Sequence, residues 1–194
     1  MKFRIEEDSL GKVRVPRNAL WGAQTQRAID NFPISGISMN FPFTNTFISM
    51  LGFVKDAAAR ANKNLKLLEA KKQKVISRAA KEVWKNKHGK EFPIDVFQTG
   101  SGTSTNMNAN EVIANLCFKT SKIKIHPNDD VNMSQSSNDV IPTVMNLAYY
   151  YDLVKKLMPA LDLLIDTIEK KADSLKGVTK TGRTHLMDAM PIDM

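Results

Sequence analysis

The feature that most constrains this chain is a run of apolar residues at Leu147, Tyr150, Val154, Leu157, Leu161, Leu164 and Ile168. Their spacing alternates between three and four residues over three heptads, which predicts one long helix carrying a continuous apolar seam. Such a helix draws most of its stability from packing, so the seam requires partner helices. After Gly177 only a polar turn, Val178-Thr179-Lys180-Thr181-Gly182-Arg183-Thr184-His185-Leu186, and a short tail through Pro191 to Met194 remain. That is too little chain to supply antiparallel partners, so another chain or a continuation of this one is expected to cover the seam. Pro159 falls inside the run and is expected to bend the helix, because it lacks an N–H and crowds the carbonyl one turn back.

Upstream of the seam, helical spacing recurs. Phe47, Ile48, Leu51, Val54, Ala58 and Ala61 predict a helix over 44–61, and a second is expected over 65–87, closed by Gly89 and Pro93. A third is expected over 107–118, and the seam helix is expected to begin after Asp139 with Pro142 in its first turn. Residues 1–43 hold Pro16, Pro33, Pro42, Gly11, Gly22 and Gly36 among short apolar pieces and read as an irregular arm.

Composition narrows the class. The 194 residues are 42% hydrophobic and 25% charged, which fits a globular chain and excludes general disorder. One cysteine, Cys117, cannot form an internal disulfide and fits a reducing compartment. No apolar run is long enough to span a bilayer, and Glu6, Glu7 and Asp8 stand where a targeting peptide would be apolar or basic, so a cytoplasmic location is expected. The net charge of +8 would suggest nucleic acid until it is located. Residues 55–90 carry ten Lys and two Arg against Asp56, Glu69 and Glu82, scattered among Val75, Ile76, Ala79, Ala80, Val83 and Trp84. That is the pattern of the wet face of an amphipathic helix, so neither a nucleic-acid nor a membrane partner is expected.

Chemistry concentrates in polar segments that precede helices. Residues 98–110 contain nine Ser, Thr, Asn or Gln, more than capping requires, and Ser134-Gln135-Ser136-Ser137-Asn138-Asp139 is similar. Helix-start N–H groups with neutral hydroxyl and amide donors form a cup suited to a small carboxylate. For any one of Ser101, Thr103, Ser136, Ser137 and Asn138 a cap or turn is the commoner role, and it is the density of the clusters that points beyond it. Of the three histidines, His88 reads as a surface residue at a helix C-terminus. His126 reads as a loop residue or an anion ligand, and His185 as a packing or a catalytic residue. No Cys or His pair stands at ligand spacing, so no metal is expected.

Taken in order, these blocks closely resemble the class II fumarases of the fumarase/aspartase superfamily. The resemblance rests on Phe3-Arg4-Ile5-Glu6, Trp21-Gly22-Ala23-Gln24-Thr25-Gln26-Arg27, Gln98-Thr99-Gly100-Ser101-Gly102-Thr103 and Asn106-Met107-Asn108-Ala109-Asn110-Glu111-Val112-Ile113. It continues through His126-Pro127-Asn128-Asp129, Gln135-Ser136-Ser137-Asn138-Asp139 and Gly182-Arg183-Thr184-His185-Leu186. It implies a mainly α fold, with an N-terminal lyase domain over 1–133 and, over 134–194, the incomplete start of a central helical bundle. It further implies a homotetramer through the bundle helices, with each active site drawn from three subunits.

By the same resemblance, Ser101, Gly102, Thr103, Ser136, Ser137, Asn138 and Thr184 are expected to bind substrate, and His185 to activate water. His126, Pro127, Asn128 and Asp129 resemble a secondary dicarboxylate site. The implied reaction is reversible hydration of fumarate to malate, with no cofactor. Family members are more than twice this length, so the chain is expected to be an N-terminal portion and inactive alone, the serine loop that abstracts the proton lying past Met194. Ser104-Thr105 and Met133-Ser134 are aspartase-like, but aspartases resemble one another in carrying Gln where His185 stands, which favours the hydratase over an ammonia-lyase. A dicarboxylate-binding or assembly module without chemistry is the remaining alternative.

Overall fold

The computed structural model describes residues 2–39, 45–183, 185–188 and 190–194. Among them are six α-helices: α1 (Ala23–Asn31), α2 (Asn45–Asn64), α3 (Ala70–Trp84), α4 (Thr103–Ser121), α5 (Ser137–Asp152) and α6 (Met158–Ser174). Two short hairpins complete the regular structure, β1 (Phe3–Asp8) with β2 (Gly11–Pro16) and β3 (Thr179–Thr181) with β4 (Pro191–Asp193). The fold is mainly α. It divides into two compact units, 1–149 and 150–194.

Within 3–31 the first unit corrects the reading of residues 1–43 as an irregular arm; residues 1 and 40–43 lie outside the described residues. β1 and β2 pair antiparallel from Phe3 opposite Pro16 to Asp8 opposite Gly11, and α1 follows. Alternation hides the hairpin because half of its side chains are charged and Phe3 and Ile5 stay exposed. Polar clamps hold it instead. Arg4 donates from Nη1 to the carbonyls of Pro16 and Ala19, both at 2.8 Å, and from Nη2 to that of Trp21 at 2.6 Å. Arg27 on α1 grips Asp8 at the turn with two bonds of 2.9 and 3.0 Å, and that guanidinium holds the Asp8 carboxyl below its ordinary value.

Helix α2 matches the predicted helix from Asn45 onward and runs three residues past 61, Thr44 lying outside the described residues. The second predicted helix starts later, at Ala70, because Lys66 adopts a left-handed φ of 61° and turns the chain after α2. α4 starts at Thr103, four residues before Met107. Its burial is nearly continuous from Thr105 to Cys117, so no polar stripe marks its periodicity. Around it the core gathers Ile48 and Leu51 of α2, Ile76 and Val83 of α3, Phe92, and Val112 and Ile113 of α4 itself. His88 is half-buried rather than a free surface residue, its Nε2 lying 2.8 Å from Glu82 Oε2.

Pro142 sits inside α5, in its second turn rather than its first. In the second unit the seam helix meets Pro159 with a π turn over Leu153–Leu157, after which α6 begins with the proline in its opening positions. A widened turn removes the clash that proline would make one turn back. No residue of α6 is buried; Leu161, Leu164 and Ile168 are about half exposed. Beyond Gly177, whose φ is 78°, the expected polar turn is a hairpin in which Thr179 faces Asp193 and Thr181 faces Pro191.

The α2–α3 crossing depends on one missing atom. A Cβ on Gly52 would stand 2.5 Å from the backbone nitrogen of Trp84 and 2.7 Å from the Ala80 carbonyl oxygen, neither of which can rotate away. Gly52→Ala adds helix propensity worth up to about 1 kcal/mol, but prying the helices apart costs about 1–3 kcal/mol. We expect a net loss of stability of about 1–2 kcal/mol; urea denaturation checks it, and an unchanged midpoint would contradict it.

Candidate active site

Two of the polar segments lead into helices, and the first unit brings those helix starts together. At the start of α4, Gln98 Oε1 accepts from the Thr105 N–H at 2.9 Å and the Thr105 hydroxyl at 2.8 Å, and its Nε2 donates to the Asp95 carbonyl. Thr99 Oγ1 accepts from the Ser104 N–H at 3.3 Å. With Gln98 and Thr99 occupied in capping, the hydroxyls of Ser101 and Thr103 stay exposed and bond each other at 2.8 Å. Gly102 makes the turn between them at φ 67°, and a Cβ there would lie 2.9 Å from Ile141 of α5. Glycine is required on both counts.

At the start of α5, Ser136 Oγ accepts from the Asn138 N–H at 3.2 Å, and Ser137 Oγ accepts from Asn106 Nδ2 of α4 at 3.3 Å. Asn138 itself is exposed. The Gly102–Ile141 approach and the Asn106–Ser137 bond thus dock one helix start on the other, with Ser101, Gly102 and Thr103 on one side and Ser136, Ser137 and Asn138 on the other. The surface offers exposed hydroxyls and an amide beside the two capped helix starts.

Beneath it lies a residue that sequence reasoning misses. The charge pattern places Lys55 with its neighbours on a solvated face, but it is fully buried, its Nζ donating to Asn132 Oδ1 at 3.0 Å and Gln135 Oε1 at 2.9 Å. Burial pulls the amine down to about 7. The signal is its position: Ile48, Leu51, Lys55, Ala59 and Asn62 form one buried stripe at helical spacing, so this lysine stands among core positions.

A buried carboxylate, Glu111 of α4, closes the start of α1. Its Oε2 accepts from the Gly22 N–H at 2.8 Å, the Thr25 N–H at 3.1 Å and the Thr25 hydroxyl at 2.6 Å, and its Oε1 from the Gln24 N–H at 2.9 Å. Burial raises this carboxyl above its ordinary value, against the pull of those donors. Burial also pushes the Cys117 thiol up to about 12, which removes it as a nucleophile near neutrality.

The other expected site residues belong to other segments. His126 opens a π turn over Pro127–Val131, its Nδ1 accepting from the Asp129 N–H at 3.0 Å and lying 3.1 Å from Asp129 Oδ2. Asn128 Nδ2 reaches Asp129 Oδ1 at 3.5 Å in an exposed contact. A cavity of about 450 Å³ adjoins His126 and Pro127 and is also lined by Lys124, Phe118 and Glu111. His185 is exposed in the connection between β3 and β4 of the second unit. Thr184 lies outside the described residues. No helix among the described residues is long and apolar enough to cross a membrane.

Two helix starts thus meet over a buried amine in a mainly α chain, and comparison with known proteins gives the class to which the chain belongs. The lyase family profile matches residues 11–194, and the chain belongs to that family. Its relatives include the class II fumarate hydratases of Xylella fastidiosa (strain Temecula1), 55% identical over 98% of this chain, and of Mycobacterium tuberculosis, 52% identical over 99%. The chain spans about 40% of the length of these relatives. Among solved structures it is similar to a fumarate lyase:delta crystallin from Brucella melitensis, with a TM-score of 0.93 and 42% identity over 100% of this chain and 46% of that one. It is similar also to a class II fumarase from Schistosoma mansoni, with a TM-score of 0.88 and 38% identity over 99% of this chain and 41% of that one.

The segment feeding α4 is anchored by Asp95. Its carboxylate accepts from the N–H groups of Ser35, Gly36 and Phe97 at 2.7, 2.9 and 2.8 Å and from the Ser35 hydroxyl at 2.8 Å. Burial opposes ionisation, but these donors outweigh it and hold the carboxyl at about 2, below its ordinary 3.8. A depressed carboxyl stabilises the fold above its unfolded value and loses that contribution as pH falls through the folded one. Stability should therefore decline from about pH 4 towards pH 2, and Asp95→Asn should be less stable near neutrality with a flatter acid slope. Thermal melts of both proteins across pH 2–6 check this; an equal gap in Tm at both ends would contradict it.

Proposed function

We propose that this chain is the N-terminal portion of a class II fumarate hydratase, which adds water reversibly across fumarate to give (S)-malate in the citric acid cycle, in the cytoplasm. The observation that carries the reading is the meeting of the α4 and α5 starts, where spare neutral donors converge after capping is satisfied. The 52–55% identity to curated fumarate hydratases supports the same reaction. Residues 1–133 then form the lyase domain and 134–194 begin the bundle domain.

In the proposed chemistry, Ser101, Gly102, Thr103, Ser136, Ser137 and Asn138, joined by Thr184, bind the substrate carboxylates. Removing a proton from the carbon beside a carboxylate drives a second negative charge onto that carboxylate. Donors aimed there stabilise the intermediate, each worth about 10²–10³ in rate. His185 activates the water at the other carbon, worth about 10²–10⁴. His126, Pro127, Asn128 and Asp129 form a separate dicarboxylate site. The uncovered apolar residues of α6 are the bundle surface of a homotetramer.

His185 favours water over ammonia, because an imidazole exchanges protons near neutrality and a glutamine amide does not. In the full-length protein carrying this segment, His185→Gln should lower malate dehydration by about 10² or more with a smaller change in KM, since carboxylate binding rests on the α4 and α5 starts. Fumarate absorbance reports the rate; unchanged turnover, or faster release of ammonia from aspartate than dehydration of malate, would defeat the assignment. The 194-residue chain alone should hydrate no fumarate above the buffer rate and should self-associate through α6, and a monodisperse monomer in sedimentation would contradict the latter.

A further inference from the structure

We infer that Lys55 is the buried cation of the carboxylate cup, holding the α5 start in place and carrying a charge that the bound dicarboxylate, rather than a protein carboxylate, balances. The inference rests on the proposed reading that the cup binds a dicarboxylate. The amine is fully buried on α2 and meets two amide oxygens, of Asn132 and Gln135. Both residues shape the segment that becomes α5: Asn132 Nδ2 donates to the Gln135 carbonyl at 3.1 Å, and Gln135 Nε2 donates to the carbonyls of Val131 and Met133 at 2.9 and 3.1 Å. From Lys55 a chain of three hydrogen bonds leads through Asn132 Oδ1 and Asn106 Nδ2 to the Ser137 hydroxyl at the cup.

Among the described residues no carboxylate pairs with this amine, although several stand on the elements around it. Asp56, next in sequence, is held by Arg60 at 2.9 and 3.1 Å. Asp130 is held by Lys72 at 2.8 Å, Asp129 turns to His126, and Asp139 on α5 is exposed. A buried ammonium with neutral partners alone is costly, and burial accordingly pulls this one down to about 7. Methionine would fill the same volume without that cost. What the lysine adds is attraction for an anion behind hydroxyl and amide groups that carry no charge, against the exposed Asp139 at the edge of the same helix start. Asn106 points the same way: its Oδ1 is buried and has no protein partner among the described residues, so its amide orientation is set wholly by what Nδ2 meets.

The test uses the full-length protein carrying this segment and succinate as an unreactive dicarboxylate. Lys55→Met removes charge and donors, while Lys55→Gln removes the charge and keeps amide donors on a shorter side chain. Both should weaken succinate binding about tenfold or more by calorimetry and raise the KM for fumarate more than they lower kcat, whereas affinity for the neutral succinamide, which feels only the lost positioning, should fall distinctly less. Folded variants with unaltered succinate Kd, or with equal losses for succinate and succinamide, would overturn the inference and leave Lys55 a packing residue. Should neither variant fold, succinate binding to His185→Gln protein at about pH 7.5, compared in buffers of different ionisation heat, decides: proton uptake is expected as the amine regains its charge, and its absence overturns the inference. Wild type that binds succinate in this Lys55-dependent way yet hydrates no fumarate would refute the proposed reaction and support the cation; wild type that binds no dicarboxylate would refute both.

Discussion

A helix begins with N–H groups that have no partner in the helix, and satisfying them organises the first unit. Four helix or turn starts solve the problem with side chains. Glu111 reaches from α4 to cap α1, more than eighty positions earlier in the chain, and so fixes the N-terminal segment to the central helix. Gln98 caps α4, Ser136 serves α5, and His126 Nδ1 serves the turn over Pro127–Val131. Because each start has its own cap, the hydroxyls of Ser101 and Thr103, which among the described residues bond only each other, are surplus to capping. A polar cluster that exceeds its structural need, at a place where two helix starts meet, is what separates a site from a pair of turns.

Long polar reach also explains why α4 carries so many amides. Asn108 Nδ2 donates to the Glu91 carbonyl, and Asn115 Nδ2 to that of Leu20, at 2.9 and 2.8 Å. Each bond ties an irregular stretch to the one helix buried on nearly every side. Such stretches bury carbonyls that no strand or helix satisfies, and a buried unpaired carbonyl costs about 1–3 kcal/mol. The amides are therefore part of how loops are packed against the core, and Asn106 extends the same device to the α5 start.

This arrangement sets how much of the fold is legible in the sequence. α2 and the helices along the seam are legible because their apolar residues line one side. α4 is legible only in part, since burial all round erases the periodicity that marks a start. The β1–β2 hairpin is hidden because Arg4 and Asp8 hold it through partners far along the chain, which spacing does not encode. Lys55 escapes for a related reason: a count of charges treats every lysine as solvated, whereas its place between Leu51 and Ala59 marks it as interior. The Ser, Thr and Asn clusters are legible as surplus donors. Which of them cap and which remain free requires the geometry of Gln98 and Asn106.

A cup of neutral donors suits the proposed reaction better than a cup of guanidinium groups would. Substrate and intermediate are both anions, and the intermediate carries one more charge at a single carboxylate. Fixed cations on both carboxylates would bind the ground state strongly, and binding shared by ground and transition states lowers KM without raising kcat. Hydroxyl and N–H donors strengthen as charge grows on the atom they face, so they favour the later state. A single ammonium, buried behind the amides of Asn132 and Gln135 rather than against the ligand, draws an anion to this surface while leaving discrimination between the two states to the donors at the front.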